Sequence, residues 1–155
     1  MPLSLLSPSF ADGKRIPDKY TRDQENLSPP LRWTGAPAGA QSFVLVLDDP
    51  DAPSGTFGHW GLFNIPADWD RLPESVETGP DKGSLRICRN DFGNNHYDGP
   101  QPPRGGGVHR YHFRLAALSL PSLNLPPISS VEDLWRAAEK HRLEEAILIG
   151  TYSRD

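Results

Sequence analysis

The sequence predicts a mainly β domain with one helix near its C-terminus, and three observations carry that expectation. Apolar residues gather in short runs rich in β-branched and aromatic side chains, strongest at Ser42–Leu47 and Val108–Leu120. Seventeen prolines and 14 glycines in 155 residues interrupt the chain too often for a helical bundle. Helical periodicity occurs only once, where Val131, Leu134, Trp135 and Ala138 share one face.

The first forty residues scatter apolar positions among Pro, Asp, Gly and Ser, so they read as loop with short strands near Leu3–Leu6 and Leu31–Thr34. Ser42–Leu47 is a continuous apolar run and predicts a strand covered on both faces. His59–Pro66 predicts a second strand that pairs with or faces it, closed by Pro66 because proline donates nothing to a ladder. Residues 67–83 read as a polar surface excursion, and Ser84–Arg89 as a short strand holding Cys88. Five glycines and three prolines between Asn90 and Gly107 require a long loop, a length that is uncommon in a compact domain and often functional. Val108–Leu120 returns to strand. Ser129 with Glu132 three residues on signals a capping box for a helix over 131–144, and Ala146–Tyr152 predicts a last buried strand.

A length of 155 residues fits one domain, 1–155, large enough to bury roughly 70% of the surface of its unfolded chain. The net charge of −4 argues against nucleic acid or an anionic membrane surface as a general partner, so any anion site must be local. Cys88 is the single cysteine, which excludes an intrachain disulfide and fits a reducing compartment. The N-terminus lacks a basic start and a long apolar core, and no stretch reaches roughly 18 apolar residues, so the expected location is cytoplasmic, without integral membrane association.

The candidate chemistry lies at strand ends. Asp49-Pro50-Asp51-Ala52-Pro53 follows a strand, and its prolines stiffen the segment. Its carboxylates are either turn-formers or one pins the loop while the other faces a ligand. His59 opens a strand, and alternation places His109 and Tyr111 on one face of another, with Arg110, His112 and Arg114 on the opposite face. Taken singly, such histidines are more often packed, hydrogen-bonded residues than ligands or acid-base groups. The glycines at 105–107 read as a flexible turn or as amides converging on an anion, with no nucleotide-loop spacing because a strand follows. The five histidines lack zinc spacing and no nucleophile elbow occurs, so neither a metal nor a cofactor is assigned.

Several of these motifs occur together in one register: Asn26-Leu27-Ser28-Pro29-Pro30-Leu31-Arg32-Trp33, Ser42 to Pro53, His59-Trp60 to Asn64-Ile65-Pro66, and Gly107-Val108-His109-Arg110-Tyr111. Together they resemble the phosphatidylethanolamine-binding, Raf-kinase-inhibitor-like family. Asn90-Asp91-Phe92-Gly93, Tyr97-Asp98-Gly99-Pro100 and Pro102-Pro103 resemble its bacterial and archaeal YbhB/YbcL-like branch. The resemblance implies an antiparallel Greek-key β-sandwich with one or two short peripheral helices. It also implies a small pocket for phosphate-like anions or phosphoethanolamine-type head groups, bounded by Asp49, Pro53, His59, Gly99, Pro103, His109 and Tyr111. It further implies a non-enzymatic module that inhibits or regulates a protein kinase or serine protease, commonly as a homodimer. The alternative is a phosphoester or ester hydrolase using His59 and His109 as acid-base groups.

Overall fold

The computed structural model describes residues 2–76 and 83–155. Two antiparallel sheets and one helix form the fold. The small sheet has the order β1 (Ser4–Leu6), β2 (Leu31–Thr34), β5 (Arg71–Leu72). The large one has the order β6 (Arg86–Ile87), β4 (Phe57–Pro66), β3 (Ser42–Asp49), β7 (His109–Leu118), β8 (Arg142–Tyr152). The non-sequential order agrees with the expected antiparallel Greek-key sandwich, and α1 (Val131–Glu139) is its peripheral helix.

The large sheet is the middle layer, which explains why β3 is apolar on both faces. Phe43, Leu45 and Leu47 point toward the small sheet and join Leu5, Trp33, Leu72, Trp60, Leu62, Phe113 and Leu115 in the main core. Val44 and Val46 point the other way and pack with Phe63, Cys88, Ala116, Val131, Leu134 and Ala138 beneath the helix. Glycine lets the helix sit this close. A Cβ on Gly58 would lie 2.6 Å from Val131 Cβ, and one on Gly61 would lie 2.5 Å from Cys88 Sγ and 2.9 Å from a Leu134 methyl.

Several predicted boundaries shift. The capping box uses Ser130 and Asp133, with the Ser130 hydroxyl accepting from the Asp133 amide at 3.0 Å, rather than Ser129 and Glu132. The helix ends at Glu139 rather than 144, because Arg142 already pairs with Leu118 and opens β8 four residues before the predicted Ala146. A 3-10 turn at Asp18–Tyr20 and the two-residue β5 lie in segments read as loop and surface excursion. The predicted Ser84–Arg89 strand contracts to Arg86–Ile87, Val108–Leu120 to His109–Leu118, while β3 and β4 gain residues at Asp48-Asp49 and Phe57-Gly58. Part of the predicted excursion, 77–82, lies outside the described residues.

Candidate functional site

The inner face of the large sheet ends in polar residues. Asp49 continues the inward row of Phe43, Leu45 and Leu47, and His109 and Tyr111 start the inward row of Phe113 and Leu115. Regular alternation along β4 would turn His59 away from Trp60 and out of this face. A register slip prevents it: Leu47 pairs with Trp60 but Asp48 pairs with Gly58, so His59 is the extra residue of a β-bulge. The bulge keeps Trp60 in the main core while the His59 ring packs edge-on to Tyr111, with ring centroids 5.4 Å apart. Asp49, His59, His109 and Tyr111 are all buried.

Asp49 and His109 form the centre of the group. His109 Nδ1 lies 2.7 Å from Asp49 Oδ2, and Asp49 Oδ1 accepts the Asp51 amide at 2.9 Å. Each carboxylate oxygen therefore already holds a hydrogen bond. Burial pushes the Tyr111 hydroxyl far above its ordinary range and the nearby Asp49 charge adds to this, so Tyr111 stays a protonated donor. Burial lowers the His59 pKa, and the Asp98 carbonyl and Asp49 charge do not outweigh it, so His59 is neutral near pH 7.

The His59 tautomer follows from its partner. Its Nδ1 lies 2.9 Å from the Asp98 carbonyl oxygen, which can only accept, so the proton sits on Nδ1 and Nε2 presents a lone pair. Neither His59 Nε2 nor His109 Nε2 has a hydrogen-bond partner among the described residues, and neither belongs to the unpartnered atoms sealed from solvent.

Asp98 is itself held by carboxamides. Asn26 donates to Oδ1 at 3.0 Å, and Asn90 and Asn94 donate to Oδ2 at 2.8 and 2.9 Å. Burial works against ionisation of Asp98, but the Asn94, Asn90 and Asn26 hydrogen bonds prevail and keep its carboxyl below the ordinary range. Asn90 also donates to the His96 carbonyl and accepts the Phe92 and Asn94 amides, so one side chain ties the loop together.

The remaining predicted residues occupy different positions. Gly99 is buried beside His59, but its role is close packing: a Cβ there would lie 2.0 Å from the Tyr20 carbonyl oxygen. Pro53 and Pro103 are exposed. Asp51 pins the loop, accepting from the Arg110 amide at 2.8 Å and from its guanidinium at 3.2 and 3.1 Å. The glycine run is a turn: Gly105 donates to Arg154 O and Gly106 to Pro103 O, so those two amides are already engaged.

Sequence reasoning missed Phe57 and Phe92, whose rings lie 5.0 and 5.4 Å from His59, and Asp98, which acts through its backbone. Arg22 also escaped notice; its guanidinium sits 4.0 Å over the Phe92 ring, a cation near the site. A separate cavity of about 520 Å³ lies on the helix side of the sheet. Its charges largely compensate one another, with Arg114 on Asp48 and Arg136 on Glu132. Among the described residues no three His, Cys, Asp or Glu side chains converge on a metal-binding arrangement, and no helix is long and apolar enough to cross a membrane.

Relatives share this architecture along its length. A protein of Methanothermobacter thermautotrophicus described as a UPF0098 protein is 49% identical, covering 98% of this chain and 99% of its own. The UPF0098 protein YbhB of Escherichia coli is 35% identical over 97% of this chain and all of its own. The crystal structure of E. coli YbcL, described as a new member of the mammalian PEBP family, superposes with a TM-score of 0.92 at 27% identity, covering 100% of both chains. A family model described as phosphatidylethanolamine-binding protein matches residues 6–153, which contain every side chain of the buried cluster. With the fold, the length and the motifs in agreement, this chain belongs to the phosphatidylethanolamine-binding protein family.

Proposed function

We propose that the chain is a non-enzymatic binding module whose pocket at Asp49, His59, His109 and Tyr111 takes a phosphate-like anion, free or as a phosphoethanolamine-type head group. The observation that carries this reading is the convergence of two unpaired imidazole Nε2 atoms and a protonated phenol at one buried sheet end. Tyr111 donates to an anion oxygen, and the His109 ring, held by Asp49 through Nδ1, presents Nε2 to the same site. In this reading Pro53, Gly99 and Pro103 form walls rather than ligating groups. Cys88 is no nucleophile for this site: it lies in the core on the far side of the sheet, and burial pushes its thiol up to about 12.

Titration calorimetry with phosphate and with phosphoethanolamine tests the reading, alongside the His59 and His109 ring resonances. Saturable heat with shifts of both rings is the expected result, and no heat with unmoved rings rejects it. The proposal extends to a cytoplasmic, homodimeric protein that regulates a kinase or serine protease when its pocket is filled. Sedimentation of the purified chain, cell fractionation and inhibition assays with and without phosphate test those parts separately.

A further inference from the structure

Resting on the reading of the site as an anion pocket, we infer that it selects anions that bring a hydrogen-bond donor of their own, as hydrogen phosphate does through its P–OH and phosphoethanolamine through its ammonium, and rejects sulfate, because His59 meets the ligand as an acceptor. The Asp98 carbonyl fixes the His59 proton on Nδ1 at 2.9 Å, which leaves a lone pair at Nε2. A ligand atom facing that lone pair must supply the hydrogen. Hydrogen phosphate can do so. Sulfate is fully deprotonated at neutral pH and would set two lone pairs against each other.

Two escapes are closed by the surroundings. Moving the proton to Nε2 would strip the Asp98 carbonyl of this donor in a buried setting, where an unmade hydrogen bond costs free energy. Asp98 cannot readily swing away, because Asn26, Asn90 and Asn94 hold its carboxylate and Gly99 is wedged against the Tyr20 backbone. Taking up a second proton would make His59 a donor, but its burial opposes the charged ring. Asp98 is thus a positioning residue that acts on ligand choice through its backbone, and the three asparagines fix Asp98.

The experiment is calorimetry on the wild-type chain with phosphate, phosphoethanolamine and sulfate at pH 7.5 and constant ionic strength, with nitrogen NMR of His59. Expected are phosphate and phosphoethanolamine bound about tenfold or more tightly than sulfate, the cost of one unpaired buried group, and a His59 Nε2 resonance of an unprotonated, hydrogen-bond-accepting nitrogen. In His59→Gln, whose carboxamide can donate, the phosphate-to-sulfate ratio should fall to within about threefold. Equal wild-type affinities for phosphate and sulfate, or a proton found on His59 Nε2, would overturn the inference while leaving the anion pocket standing. Binding of neither anion removes the pocket reading itself, and the inference with it.

Discussion

His109 Nδ1 and Asp49 Oδ2 lie 2.7 Å apart with both side chains almost wholly buried, at 6% and 4% exposure. This contact joins the rigid Asp-Pro-Asp-Ala-Pro segment to the start of β7, across 60 positions of sequence. Asp49→Ala removes the acceptor for the His109 ring and for the Asp51 amide. What is lost is two hydrogen bonds to one buried carboxylate, so the expected destabilisation is about 1–3 kcal/mol. Denaturant unfolding should show that drop, and calorimetry should show loss of phosphate binding. An Asp49→Ala protein binding phosphate as tightly as wild type would remove Asp49 from the pocket.

Asp51 shows the other use of a carboxylate in the same segment. Side-chain and backbone hydrogen bonds from Arg110 lower its pKa from 3.8 to about 2. The folded value lies below the unfolded one, so this stabilisation is present above about pH 4 and disappears as pH falls toward 2. Its size is modest because the Arg110 side chain is 62% exposed, as for exposed ion pairs worth up to about 1 kcal/mol. Carboxyl carbon NMR should place the Asp51 midpoint near 2 in wild type and higher in Arg110→Ala, though still below the ordinary value because the hydrogen bond from the backbone amide remains. An unchanged midpoint in Arg110→Ala would show that Arg110 is not the cause.

Different signals made different parts of the molecule legible in the sequence. β3, β4 and β7 stood out because a middle sheet layer needs long apolar runs, and period-two alternation put His109 and Tyr111 together. The helix end was hidden because Lys140, His141 and Glu144 suit a helix as well as a loop, and pairing with β7 decided the matter. The bulge at His59 leaves no mark in composition, since it arises from the register of β3 against β4. The Asp98 contact is equally silent: it uses a backbone carbonyl, 39 positions away, that any residue type could present.

Gly99 separates packing from ligation. Because the Tyr20 carbonyl oxygen and the Thr21 Cα are backbone atoms, they cannot rotate away from a Cβ placed 2.0 and 3.0 Å from them. Gly99→Ala must therefore shift a backbone segment next to Asp98, with an expected loss of about 3 kcal/mol. Gly105→Ala provides the contrast: its Cβ would meet nothing within 4 Å, so the cost is that of its positive φ of 73° alone, about 1 kcal/mol. Chemical denaturation of the two variants should rank them in that order, and equal stability would contradict the packing role of Gly99.

His59 should also leave a signature in the pH dependence of stability. Its folded pKa lies below the ordinary 6.5, chiefly through burial. Between the two values the unfolded chain binds a proton that the folded chain refuses, so stability should be full above about pH 6.5 and decline as pH falls through that region toward the folded value. By proton NMR at pH 6 the His59 ring should accordingly be less protonated than an exposed histidine, which is more than half protonated there. His59→Gln removes the titrating group while keeping an amide that can donate to the Asp98 carbonyl, so it should flatten this part of the pH profile. A wild-type ring titrating at 6.5, or a His59→Gln profile as steep as that of wild type, would show that the bulge does not hold the ring neutral.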